Sequence, residues 1–273
     1  MSVKSLWHWV PRRSVAGTCL LLLLVWLPLS GCMSTGPGHD DVMTDSDEPE
    51  IRKRARLRLE LAVGYFQQGK PTVALDEVKK SLVIDPDFAD AYSLRGLIYL
   101  QMEEYRLAEE SLLYARKLNP KDGNVVHNYG WLLCQRRRFD EAIQAFQDAI
   151  GNRYYGDRAK TWMVMGLCQI QAGKHLDAEK SLIKAYELDA ANPITGYNLA
   201  SLFYQRGEFV RAQFYIRRIN NSEQANAETL WLGIKVERNL GYHQAAQQLA
   251  TQLRKRFPKS KEIGAYDRGA FHE

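Results

Sequence analysis

Residues 87–150 read DFADAYSLRGLIYLQMEEYRLAEESLLYARKLNPKDGNVVHNYGWLLCQRRRFDEAIQAFQDAI, and the stretch nearly repeats itself. Gly96 and Gly130 stand 34 residues apart, as do Ala108 and Ala142. Carried outward, that period divides the chain into six blocks, 55–88, 89–122, 123–156, 159–192, 193–226 and 227–260, with 157–158 left over. A fixed period of this length is the mark of stacked repeats, so it outranks any helix-by-helix assignment. Position 8 of a block is small in Ala62, Gly96, Gly130, Gly166 and Ala200, with Ile234 the exception. Position 20 is alanine every time: Ala74, Ala108, Ala142, Ala178, Ala212 and Ala246. Position 11 is large in Tyr65, Tyr99, Leu133 and Phe203, and departs at Gln169 and Glu237. Pro86, Pro120 and Pro258 share position 32, where a helix must stop.

Positions 4, 7, 8 and 11 lie on one helical face, and the alanine at position 20 opens the facing side of a second helix. One such hairpin cannot bury that surface alone, whereas stacked hairpins bury a continuous core. The pattern resembles the tetratricopeptide-repeat family over residues 55–260. The expected fold is all-α, a right-handed superhelical solenoid of six helix-turn-helix repeats occupying 51–273. The closing segment KEIGAYDRGAFHE is expected to form a short cap on the sixth repeat.

Ahead of the repeats the sequence changes character. Lys4, Arg12 and Arg13 precede an apolar run from Val15 to Leu27, too short for a comfortable membrane span. The run ends in Leu29-Ser30-Gly31-Cys32, which resembles a bacterial lipobox, so 1–31 reads as a lipoprotein signal peptide and Cys32 as the lipidated residue. Losing 1–31 lowers the formal net charge from +5 to +2, which leaves no argument for nucleic acid. Covalent lipid on Cys32 would be the membrane anchor, since several acyl chains hold a protein stably where one does not. Residue 33 is Met rather than Asp, and outer-membrane attachment facing the periplasm is the expectation. From Met33 to Glu50 there are six acids and no Lys or Arg, so 32–50 reads as a disordered acidic tether. The basic run Arg52, Lys53, Arg54, Arg56 and Arg58 that follows either pairs loosely with this tether or meets anionic head groups.

In the repeat family, positions 2, 5, 9, 12 and 13 of each first helix line the concave face. Here that places Leu59, Val63, Phe66, Leu97, Leu100, Trp131, Met163, Leu167 and Ile170 on an apolar strip over the first four repeats. Gln67, Gln101, Gln135, Gln171, Gln205 and Asn239 form an amide ladder at position 13, able to pair with an extended peptide backbone. A contiguous apolar strip marks a protein-binding surface, or else is covered by the neighbouring repeat. Repeats five and six turn aromatic and then basic, through Tyr197, Tyr204, Trp231, Lys235 and Arg238. Leu59, Val63 and Leu97 occupy places where a carboxylate clamp needs polar groups, which argues against such a clamp in the N-terminal repeats.

Cys134 and Cys168 fall on first helices of consecutive repeats in an oxidising compartment, and either form a disulfide or remain two thiols. No catalytic constellation is found. His127, His175 and His243 are scattered without a second ligand at i+3 or i+4, and there is no phosphate loop, nucleophile elbow or paired-carboxylate motif. The chain is therefore read as a binding protein, not an enzyme, with no metal, no small-molecule substrate and no cofactor beyond the lipid.

Lipobox, acidic tether and six repeats together resemble the type IV pilus biogenesis and stability lipoproteins, the PilF/PilW pilotin family. The segment 87–150, and within it Asn128 to Cys134, carries the resemblance most strongly. It implies an outer-membrane lipoprotein that binds secretin subunits and promotes their localisation and multimerisation in the outer membrane. The competing readings are a general periplasmic scaffold for cell-wall hydrolases or outer-membrane protein assembly, and a peptidoglycan-associated structural protein. Fold alone does not choose between them.

Overall fold

A computed structural model describes residues 48–271. The signal sequence, Cys32 and most of the tether lie outside the described residues. The helices pair in chain order: α1 (Glu50–Gln67) with α2 (Pro71–Ile84), α3 (Ala89–Gln101) with α4 (Tyr105–Leu118), and α5 (Gly123–Gln135) with α6 (Phe139–Gly151). Then come α7 (Arg158–Gln171) with α8 (His175–Leu188), α9 (Pro193–Gln205) with α10 (Phe209–Asn220), and α11 (Ala227–Asn239) with α12 (His243–Arg256). A short α13 (Lys261–Asp267) follows. Each hairpin packs on the next, so the described region is an all-helical repeat solenoid without strands.

The turn inside every hairpin is made the same way. Position 15 adopts the left-handed region in Gly69, Gly173, Gly207 and Gly241, and also in Glu103 (φ 61°) and Arg137 (φ 58°), which are not glycines. The reversed backbone lets the next two amides bond back onto the last helical carbonyls, as Gly69 N–H does to Phe66 O and Lys70 N–H to Tyr65 O. Three of the six first helices start on side-chain caps: Asp122 accepts from Asn124 N–H, Asn192 from Ile194 and Thr195, and Asn226 forms a reciprocal capping box with Thr229.

Inside the hairpin the two helices close on position 8. A Cβ added at Gly96 would lie 2.5 Å from the Leu112 side chain, at Gly130 2.9 Å from Phe146, and at Gly166 2.7 Å from Leu182. Leu112, Phe146 and Leu182 all occupy position 24, which identifies the partner of the small residue. The exception resolves on the same pair. In repeat six the large residue is Ile234 and the position-24 partner is Ala250, both fully buried in one cluster. The volume has changed sides, and the sum is kept.

Position 11 departs with consequences. Glu237 is 1% exposed, and its carboxylate accepts from Arg217 Nε at 2.7 Å, Arg217 Nη2 at 2.9 Å and Gln213 Nε2 at 2.9 Å, all on α10. The repeat interface that holds the Phe203 ring at this position one repeat earlier is built here from a buried, paired charge.

The two ends of the stack differ. At the C-terminal end α13 covers the last hairpin: Ile263 is buried with Leu230, Ile234 and Leu253, and Phe271 meets Trp231 at 5.4 Å between ring centroids. At the N-terminal end α1 starts at Glu50, so the acidic segment yields to helix at that residue. The basic run is not simply paired with the tether. Arg56 does bond Glu48, but Arg52 pairs with Asp85 and lies over the Phe88 ring, and Arg58 pairs with Glu77 at 3.1 Å. These acids belong to α2 and the loop after it, which first-helix guanidinium groups reach across the hairpin.

Candidate functional site

The first helices line up side by side, and the residues facing the resulting groove form a pocket of 530 Å³. Phe66 comes from α1, Leu97, Leu100 and Gln101 from α3, and Trp131 and Gln135 from α5, joining Val164 and Lys160 of α7. Six of the residues expected on the concave face are thus brought together. The others are placed differently. Leu59 is 8% exposed and packs in the core with Ala74 and Val78 of α2 and Ala91, Leu94 and Ile98 of α3. Val63 and Gln67 are exposed but lie outside the pocket lining. Met163 and Ile170 are half-buried against the core, and Leu167 is half-buried outside the lining.

Position 5 explains part of the shortfall. Ser93 accepts from Asn128 Nδ2 at 2.9 Å, and His127 Nδ1 meets Thr161 Oγ1 at 2.8 Å, so both side chains are covered by the next first helix. Thr161 also meets the Tyr155 hydroxyl at 2.7 Å, giving a buried chain of three polar groups beneath the pocket floor. Burial, with the nearby Lys160 charge as a smaller cause, lowers the His127 pKa to about 4. The imidazole is neutral at physiological pH, and the positive charge at this point of the groove is that of Lys160.

Behind the pocket wall Cys134 and Cys168 form a disulfide between α5 and α7, with Cα atoms 5.9 Å apart and both residues fully buried. The bridge spans 34 residues, one repeat period, and ties the third hairpin to the fourth. The amide ladder stays exposed along the groove from Gln67 to Asn239. A second pocket of 710 Å³ lies over repeats five and six, lined by Tyr197, Tyr204, Trp231, Lys235 and, from the closing helix, Lys261 and Arg268. Lys235 stands between the rings of Tyr204 (5.3 Å) and Trp231 (5.5 Å), and half-burial lowers its pKa.

One surface was missed by the sequence reading. Positions 3, 7 and 11 are buried against the preceding repeat throughout repeats three to six, but α1 has no preceding repeat among the described residues. Leu57 is consequently 62% exposed and Leu61 49% exposed. With Gly64 and Tyr65 they line an open pocket of 520 Å³. The signal was present, since any terminal repeat leaves its stacking face uncovered. Among the described residues no group of three or more His, Cys, Asp and Glu could hold a metal, and no helix is long and apolar enough to cross a membrane.

A tetratricopeptide-repeat profile matches residues 59–123, 93–157 and 130–193. The chain belongs to the tetratricopeptide-repeat family. Within it, the chain is 28% identical to the type IV pilus assembly protein PilF of Pseudomonas aeruginosa over 242 residues, covering 89% of this chain and 94% of PilF. The solved structure of that PilF superposes with a TM-score of 0.70 over 80% of this chain and 99% of the other. The structure of PilW, a widely conserved type IV pilus biogenesis factor, does so with a TM-score of 0.70 at 26% identity, covering 78% and 98%. The chain is a repeat protein related to type IV pilus biogenesis factors along nearly their whole length, and its helical repeats are of the kind that contacts other proteins.

Proposed function

We propose that the protein is a pilotin: a lipoprotein anchored through Cys32 in the outer membrane, facing the periplasm, that binds secretin subunits and promotes their multimerisation. The observation that carries the binding mode is the groove over repeats one to four. It joins an apolar floor of Phe66, Leu97, Leu100 and Trp131 to amides at Gln101 and Gln135. An extended segment of a partner can bury alternate apolar side chains there while its backbone meets the amides. A lipid anchor would then concentrate the captured subunits at the membrane where they assemble. Kinship with PilF and PilW supports the pilus as the setting.

The test is deletion of the gene followed by unboiled electrophoresis of membrane extracts, probing the heat-resistant secretin multimer. Loss of multimer with monomer retained supports the proposal, and a normal multimer in the outer membrane overturns it. Complementation with Cys32→Ala isolates the part played by lipid. Complementation with Leu97→Asp and Trp131→Asp, against Leu57→Asp and Leu61→Asp, distinguishes the groove from the uncovered face of α1. Leu59 is unsuitable for this purpose, because it is part of the core.

A further inference from the structure

The repeat period breaks once, at residues 157–158, and the loop around the break is firmly built. The Arg158 guanidinium donates to the Asn152 carbonyl at 2.8 Å, the Asn152 side chain donates to the Lys121 carbonyl, and Tyr154 N–H donates to Asn152 Oδ1 at 2.9 Å. Tyr155 turns inward and is 6% exposed. Its ring lies so close to Gly123 that a Cβ there would be 2.5 Å away, and its hydroxyl meets Thr161. With Tyr155 pinned, the adjacent Tyr154 is held outward at 89% exposure, the highest of the exposed large hydrophobic side chains among the described residues.

The surroundings of Tyr154 are basic. Arg116, Lys121 and Arg153 line a 540 Å³ pocket with Tyr154, Pro120 and Val126. None of the three has a carboxylate partner among the described residues, and Arg116 lies over the Tyr129 ring at 4.8 Å. Three acids lie in or beside the rim, and none of them is ion-paired with these cations: Asp148 accepts from Gln144 Nε2 at 2.8 Å, Asp122 accepts from Asn124 N–H at 2.7 Å as the cap of α5, and Asp157 precedes the first turn of α7. Elsewhere in the stack arginines find acids, as Arg138 does with Glu109 and Glu141 and Arg211 with Glu179 and Glu208. A rim that holds an aromatic ring out in water beside three cations without ion-pair partners suits a surface that is anionic outside and apolar just beneath. Cations there meet phosphate, and an amphipathic ring settles at the headgroup level.

We propose that the rim formed by residues 119–123 and 152–157, with Arg116, Lys121, Arg153 and Tyr154 as its contacts, docks on the phosphate headgroups of an anionic phospholipid surface. This site is separate from the groove and does not depend on the pilus reading. The test places a photoreactive benzophenone side chain at Tyr154 of the full chain, and as a control at Gln247 on α12. The proteins are mixed with phosphatidylcholine vesicles with or without phosphatidylglycerol, either lipid carrying a fluorescent acyl chain. Label should pass to the protein from phosphatidylglycerol at position 154 and not at 247, and fall about five-fold for Arg153→Ser or Lys121→Ser. Circular dichroism confirms that these exposed substitutions leave the helices intact. Equal labelling from both lipids, labelling unchanged by Arg153→Ser, or in cell envelopes an adduct with polypeptide alone would overturn the proposal.

Discussion

Acidification below neutral pH should weaken this fold in a part that can be assigned to His127. The imidazole has an ordinary pKa of 6.5 and is held at about 4 in the folded chain, chiefly because it is buried. Folding therefore favours the neutral form. That contribution is complete above the unfolded pKa and is lost as the pH falls from 6.5 through 4. At about 1.4 kcal/mol per unit, the loss approaches about 3 kcal/mol below the folded pKa and is about 2 kcal/mol between pH 7 and pH 5. The assay is urea unfolding followed by helical circular dichroism across that interval, with the disulfide intact, on the native chain and on His127→Gln. Glutamine keeps a polar partner for Thr161 but does not titrate, so carboxylates and other groups cancel in the difference between the two pH profiles. The difference should narrow by about 2 kcal/mol toward pH 5. Parallel profiles would refute the reasoning, because they would mean that His127 binds its proton equally well folded and unfolded.

Four further outcomes are expected. Replacing Cys134 and Cys168 together by Ala, or reducing the native chain, releases a 34-residue loop and should cost about 4 kcal/mol, read as a fall in the urea midpoint. Glu103→Gly and Arg137→Gly should each raise stability by about 0.5–1 kcal/mol in thermal unfolding, because both residues occupy a backbone region that suits glycine. Gly130→Leu should cost about 2 kcal/mol or more by crowding Phe146, and Phe146→Ala should recover part of it, giving a coupling of about 1 kcal/mol in a double-mutant cycle. Leu59→Asp should lower stability by about 4 kcal/mol while Leu61→Asp, two residues away but 49% exposed, should change it by less than about 1 kcal/mol in the same urea assay.

The fold could be read from the sequence because its constraints recur. Alanine at position 20 meets the same neighbouring helix in every hairpin, so six copies of one physical requirement appear at one spacing. The turn was legible where glycine marks it and silent at Glu103 and Arg137, since a backbone conformation can be imposed on a residue that does not advertise it. The groove was legible only in part. Whether a position-5 side chain faces the groove depends on what the next first helix offers it, and Thr161 captures His127 just as Asn128 captures Ser93. Such pairings join residues about one repeat apart and are set by side-chain reach, which periodicity does not encode. The disulfide had the same character, since its spacing was visible while the distance between Cα atoms was not.

Repeat six shows what the repeat actually conserves. Read position by position, Ile234 and Glu237 are violations of the pattern, Glu237 sharing its departure with Gln169 of the fourth repeat. Read as contacts, neither is. Ile234 is admitted because Ala250 has withdrawn by a comparable volume, so the two helices keep their spacing. Glu237 is admitted because Arg217 and Gln213 on α10 supply the donors that a buried carboxylate requires. The unit under constraint is the pair across the interface, and the single position only reports it when its partner stays fixed. The same argument explains α1, whose Leu57 and Leu61 obey the pattern in residue type yet have no partner among the described residues. An apolar residue that satisfies the pattern without a pair stays exposed at the end of the stack, which is why apolar residues are core at positions 3 and 7 of the third repeat and surface in the first.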